Sequence, residues 1–159
     1  MGKIRHICSM EQLNFKCYPF TIKNKENKRY IFDIIRKKEI LLTPEEWVRQ
    51  HCLRFLMEEK KYPIGLINVE KKIEIFGKPK RYDIVVYTKN GSVAILVECK
   101  SPKVEINQDV FDQIARYNLS IDSAYLMVTN GLKHVYCQMD YQAKAYHFLP
   151  DLPSYSIDR

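Results

Sequence analysis

The chain has 159 residues, 46% of them hydrophobic and 28% charged, which fits one domain and excludes a disordered chain. A formal net charge of +7 and a pI of about 9.1 favour a polyanionic partner without naming it. Cys8, Cys17, Cys52, Cys99 and Cys137 are scattered, with no C-x-x-C pair, which argues against a disulfide framework and against a zinc site.

Residues 15–42 read as two or three short antiparallel strands, because Tyr30-Ile31-Phe32 and Ile34-Ile35 interrupt a stretch rich in Lys and Arg. Thr43-Pro44-Glu45-Glu46 predicts a helix start: Thr43 caps, Pro44 takes the first helical position and Glu46 completes a capping box. This helix is expected to reach about Lys60 and to stop at Tyr62-Pro63, burying Val48, Cys52, Phe55 and Leu56. Residues 66–76 follow as a strand and Gly77-Lys78-Pro79 as a turn. Residues 81–88 and 93–100 are two strands joined at Asn90-Gly91, a strong hairpin signal.

Ser101-Pro102 ends the second of these strands, and a helix is expected over about 106–119. Its projection puts Val110, Ile114 and Tyr117 on one apolar stripe, with Gln113 at the edge. Residues 124–129 are nearly all apolar and are bounded by Asn130-Gly131, which predicts a strand buried on both faces. Short strands at 133–139 and 142–148 and a loose tail from Pro150 to Arg159 complete the chain. The order is that of an α/β protein with a mixed sheet. Cys52 and Cys99 read as small buried hydrophobes, His51 as packing beside a helix, and His6, His134 and His147 as surface groups. No apolar run has the length to span a membrane, and with no signal peptide visible a reducing cytoplasm is the expected compartment.

The Asn90-Gly91 hairpin carries a geometric expectation. A two-residue loop pairs Lys89 with Ser92 and Thr88 with Val93, and so brings Asp83 opposite Glu98 and Arg81 opposite Lys100. Alternation puts Lys100 on the face of Glu98 and turns Ile84, Val86, Ile95, Val97 and Cys99 toward a helix on the other face. Two opposed carboxylates in partly apolar surroundings cost stability unless a cation, a proton or a basic group compensates. Magnesium suits such oxygen ligands, and a lysine on the same face can offset charge building on a phosphate. From this geometry alone, an ion-pair cluster of Arg81, Asp83, Glu98 and Lys100 accounts for the pattern equally well.

Arg81-Tyr82-Asp83 followed by Val97-Glu98-Cys99-Lys100 resembles the D…E-x-K signature of PD-(D/E)XK nucleases. The stretch from Thr43 to about Tyr125 resembles the N-terminal nuclease domain of type I restriction enzyme R subunits. Thr43-Pro44-Glu45-Glu46-Trp47-Val48-Arg49-Gln50 is similar to that family's opening helix, and Gln113-Ile114-Ala115-Arg116-Tyr117 matches the Q-x-x-x-Y motif of the RecB-type branch. The resemblance implies a restriction-endonuclease-like mixed central sheet flanked by helices, with an antiparallel β extension at the N-terminus. It divides one domain into that extension (1–42), a nuclease-like core (43–130), C-terminal strands (131–149) and a tail (150–159).

The same resemblance implies Mg2+ or Mn2+ held by Asp83 and Glu98, with Lys100 as the catalytic lysine and Gln113 and Tyr117 near the metal or the DNA backbone. The family often adds a glutamate from the first helix. Helical projection puts Glu45 within the buried face and Glu46 at its flank, which favours Glu45, although the helix dipole explains both acids nearly as well. The expected function is hydrolysis of DNA phosphodiesters, alone, as a homodimer or with a partner subunit. The alternative is an inactive nuclease-fold module that binds nucleic acid or protein. No G-x-x-x-x-G-K-[ST] phosphate loop occurs in the sequence, so no motor is encoded here.

Overall fold

The computed structural model describes residues 10–157. Strands β1 (Ile22–Lys25), β2 (Lys28–Asp33) and β3 (Lys38–Leu41) form a three-stranded antiparallel sheet, the expected β extension. Helix α1 (Pro44–Arg54) follows and continues as a π-helical turn over Phe55–Glu59, so the expected end near Lys60 holds. Thr43 caps α1 by accepting the Glu46 amide at 3.1 Å. Glu46 does not return the bond. The Thr43 amide instead donates to the Leu41 carbonyl at 3.1 Å, and the Glu46 carboxylate turns to Arg36, Arg49 and Gln50.

The larger sheet has six strands in the order β4 (Ile67–Ile75), β5 (Lys78–Tyr87), β6 (Val93–Cys99), β7 (Tyr125–Thr129), β8 (His134–Asp140) and β9 (Ala145–Leu149). Only β6 and β7 run parallel, and helix α2 (Gln108–Asn118) makes the crossover that a parallel pair requires. Leu126, Met127 and Val128 of β7 are fully buried, as a strand covered on both faces demands. On one face Ile84, Val86, Ile95, Val97 and Cys99 pack against Val48, Cys52 and Leu53 of α1 and Leu56 of the π-helical turn, as the hairpin register requires. On the other face Val85, Leu96, Leu126 and Val128 pack against Phe111, Ile114 and Ala115 of α2. No helix among the described residues is long and apolar enough to cross a membrane.

Several local expectations are corrected. The β4–β5 turn is Phe76-Gly77, with φ of 50° and 74°, and Ile75 pairs with Lys78. Positive φ at both central residues is the two-residue turn that matches strand twist, so Lys78 and Pro79 belong to β5. Pro79 is tolerated there because β6 does not extend alongside it. The β5–β6 loop is longer than two residues: the Thr88 amide donates to the Ser92 carbonyl at 2.8 Å, leaving Lys89-Asn90-Gly91 as the loop, with Gly91 at φ 84°. Ala94 is then an extra residue between the pairs Tyr87↔Val93 and Val86↔Ile95. This bulge cancels the longer loop, and from Val86 onward the pairing is the one a two-residue turn predicts.

The buried face of α2 is Phe111, Ile114, Ala115 and Asn118. Tyr117 is 52% exposed, because the helix meets the sheet a little around from the projected stripe. The stretch expected as a loose tail is docked as far as it is described. Leu152 is buried, the Tyr155 amide donates to the Lys60 carbonyl at 2.7 Å, and the Tyr62 hydroxyl donates to the Pro153 carbonyl at 2.9 Å. Cys52 and Cys99 are buried, with their sulfurs 3.8 Å apart. His51 lies in a ring cluster with Phe15, Phe20 and Trp47. His134 is a half-buried structural group bonded to Thr129 Oγ1 and the Asn14 carbonyl, both at 2.7 Å, while His147 is exposed. Cys8 and His6 lie outside the described residues.

Candidate active site

The β5–β6 ladder ends at Ile84↔Val97, and Asp83 and Glu98 are the next residues in register. Instead of continuing the backbone ladder, Asp83 Oδ2 accepts the Cys99 amide at 2.8 Å. Its Oδ1 receives Arg49 Nη2 of α1 at 2.7 Å. Glu98 follows Leu96 on the α2 face and is 9% exposed. Its Oε1 is buried with no hydrogen-bond partner among the described residues. Burial first, and then the charge of Asp83, push the Glu98 carboxyl up to about 8, against the pull of Lys80 and Lys100. The geometry therefore sets two carboxylates side by side, one satisfied by a guanidinium and an amide, the other short of a positive partner.

Arg49 is the group that sequence reading missed. Its guanidinium reaches Glu46, Glu45 at 3.1 Å and Asp83 at 2.7 Å. Arg36, from the β2–β3 turn, joins Glu46 to Asp33 at 2.7 Å and to Glu70 at 3.3 Å. An ion-pair chain thus runs from the β extension to the site. Burial opposes the charge of Arg49, but Asp83 and Glu46 outweigh it and hold the cation more firmly than usual. The spacing of Arg49 from Glu45 and Glu46 is the helical ion-pair spacing, which was legible. Its reach to Asp83 was not.

The projection of the first helix is reversed. Glu46 is 3% exposed, whereas the Glu45 side chain is 47% exposed, because Arg36 and Gln50 close over Glu46. Glu45 is nevertheless the acid beside the site: burial and then the charge of Asp83 raise its carboxyl, against Arg49 and Lys100.

Strand alternation also breaks at this level. Tyr82 and Val85 share the α2 core while Ile84 lies in the α1 core, so the chain changes face between Tyr82 and Ile84. Glu70, opposite Asp83 on β4, has φ 52°, and the ladder skips it between Val69↔Ile84 and Lys71↔Tyr82. A left-handed non-glycine residue of this kind is a strained feature that clusters at functional sites. One consequence is that Lys80, not Arg81, is the basic neighbour of Glu98 and Lys100. Lys80 is held down by burial and by Lys100, with Glu98 and Asp83 opposing. Its Nζ lies 4.9 Å from the Tyr82 ring centre and 4.1 Å from that of Tyr117.

The structure thus brings together Asp83, Glu98, Glu45 and Lys100, and adds Arg49, Lys80 and Glu70. Lys100 is half-buried, with its amide on the Thr129 carbonyl at 2.8 Å. Tyr117 joins only through Lys80. Gln113 is exposed on α2. Among the described residues no three His, Cys, Asp or Glu side chains form a ready metal cage, since Arg49 stands between Glu45 and Asp83. The partnerless oxygen of Glu98 beside Asp83 still fits a hard cation, for which carboxylate oxygens are the natural ligands.

No curated protein matches the chain. A solved fragment assigned as an HsdR subunit of a type I restriction enzyme from Vibrio vulnificus is 19% identical, with a TM-score of 0.49 over 71% of this chain and 24% of that one. The chain therefore spans about a quarter of the length of that structure. Residues 44–153, well over half of the sequence, match the family described as the type I restriction enzyme R protein N terminus. They cover α1, the six-stranded sheet and every residue of the site described above, and the chain belongs to this family.

Proposed function

We propose that this chain is a metal-dependent nuclease domain that hydrolyses DNA phosphodiesters at Asp83, Glu98 and Lys100, in the manner of PD-(D/E)XK enzymes. The observation that carries the reading is the buried, partnerless Oε1 of Glu98 next to Asp83. A carboxylate in that position is costly without a cation, and membership of a restriction R-protein family makes a nuclease site the natural reason to keep it. Asp83 and Glu98 would hold Mg2+ or Mn2+, with Glu45 as the third acid. Such an ion supplies Lewis acidity toward a phosphate and activation of water.

The rest falls to the chain's own groups. Cys99 N–H and Arg49 fix the Asp83 carboxylate. Glu98 gives up its proton as it takes on a ligand's role. Lys100 offsets the negative charge that builds on phosphorus, and Lys80, steadied by two aromatic rings, meets the phosphate backbone. The exposed Gln113 is free to touch the substrate. DNA is the proposed substrate, and a multi-subunit restriction assembly is the proposed setting.

A second reading, an inactive module that only binds nucleic acid or protein, is favoured by the Arg49–Asp83 pair, which balances Asp83 without a metal. Incubation with linear, circular and single-stranded DNA in Mg2+ or Mn2+, with an EDTA control, separates the two. The nuclease cuts at least one substrate in metal and none in EDTA. Binding without cutting under every condition supports the module.

A further inference from the structure

Beyond Asp83 the β4–β5 hairpin leaves the body of the sheet. The β5–β6 ladder starts only at Ile84, while β4 stays paired to β5 out to Ile75↔Lys78. At about 3.3 Å per residue, this arm reaches roughly 17–20 Å past the carboxylates. It carries Lys71, Lys72, Lys78, Lys80 and Arg81 against Glu74 alone. Lys71, Lys72, Lys78 and Arg81 are exposed. No ion pair within the described residues neutralises any of these cations.

Lys72 and Arg81 are direct cross-strand partners. Like charges in that arrangement are destabilising, and an anion laid over them relieves the cost. The tip of the arm is Phe76, 92% exposed and held in the tight turn at φ 50°. At its root, Lys80 is clasped between Tyr82 and Tyr117, which ties the arm to α2.

We propose that this hairpin is an arm that holds a nucleic-acid strand beside the site, its basic ladder tracking the phosphates and Phe76 stacking on a base. Cationic grooves combined with aromatic platforms bind single strands without sequence preference. A single strand suits the tip better than a closed duplex, whose bases must be unstacked before a ring can enter. The proposal rests on the nucleic-acid reading of the site but not on cleavage.

The test uses the full chain in EDTA and a fluorescent single-stranded DNA containing 2-aminopurine, titrated at several salt concentrations. Lys72→Ala with Lys78→Ala weakens binding and lowers the log–log salt slope by about 1.4, at roughly 0.7 for each phosphate no longer neutralised. Phe76→Ala leaves the slope unchanged, weakens binding about 5- to 100-fold and abolishes the change in 2-aminopurine fluorescence. All three positions are exposed, and unchanged thermal unfolding verifies that the variants fold. Wild-type affinity and slope in the variants overturn the arm. So does an absence of binding by the wild type, or equal binding of duplex and single strand with no dependence on Phe76. Arm-dependent binding by a protein that never cuts upholds the arm and removes the nuclease. Cutting with arm-independent binding does the reverse.

Discussion

Arg49 Nη2 of α1 lies 2.7 Å from Asp83 Oδ1 of β5, so a tethered cation already sits against one of the two carboxylates proposed as metal ligands. Glu98, beside it, has no such partner for its buried Oε1. The two acids therefore differ in what they need, although sequence reading treats them as a symmetric pair. Removing either one should have a different effect on stability and a similar effect on metal binding.

Arg49→Ala takes the buried cation from Asp83, which keeps the Cys99 amide, while Glu46 retains Arg36 and Gln50. Breaking a buried ion pair on one side costs about 3–5 kcal/mol, and denaturant unfolding of the metal-free protein should show a loss of that order. Mg2+ or Mn2+ should recover more stability in the variant than in the wild type, because a metal ion takes over the vacated charge. An equal metal response in both proteins would mean that Arg49 and the metal do not share a place.

Asp83→Asn should lower metal-free stability by about 1–3 kcal/mol, since Arg49 loses a charged acceptor. Glu98→Gln should be neutral or stabilising above pH 8, because it removes a buried charge that Lys80 and Lys100 offset only in part. Both should weaken Mn2+ binding in a calorimetric titration, each by removing one charge from the oxygen ligands. Unchanged titrations in both variants count against the site.

The Glu98 carboxyl, raised to about 8 by burial and then by Asp83, sets a pH window. Its ordinary value is 4.5, so between these limits the folded protein keeps a proton that the unfolded chain has released. The stability this group contributes is fully present below about 4.5 and is lost as pH rises toward 8. Metal binding must expel the same proton, so affinity should climb up to about tenfold per pH unit within the window and level off above it. Glu98→Gln should flatten both profiles. A metal affinity independent of pH between 6 and 8 would show that the carboxyl is already ionised.

The fold was largely legible because its signals are local. Thr43-Pro44 starts α1, Ser101-Pro102 closes β6 ahead of α2, and the apolar run at 125–129 is a strand covered on both faces. The pairing of Ile84 with Val97 came out as expected through two departures that cancel, a longer loop at Lys89-Asn90-Gly91 and a bulge at Ala94. The change of face at Asp83 was not legible. It depends on Glu70 adopting a left-handed backbone on the neighbouring strand, which no residue preference announces, and it exchanges Arg81 for Lys80 at the site. The reach of Arg49 to Asp83 was hidden for a related reason: strand periodicity and helix projection describe each element alone, and this contact lies between two of them. Glu46 shows the same limit, since its burial comes from Arg36 of the separate β2–β3 turn.

The most direct test of the account is the rate of DNA cleavage in Mn2+ by wild type and Lys100→Ala, with DNA affinity measured on the same preparations. Lys100 lies beside the proposed ligands, and under the proposed mechanism it acts on charge that develops only as phosphorus reacts. Its removal should slow cutting by about a hundredfold or more while the protein binds DNA nearly as tightly as before. A Lys100→Ala variant that cuts as fast as the wild type would contradict the assignment of the site.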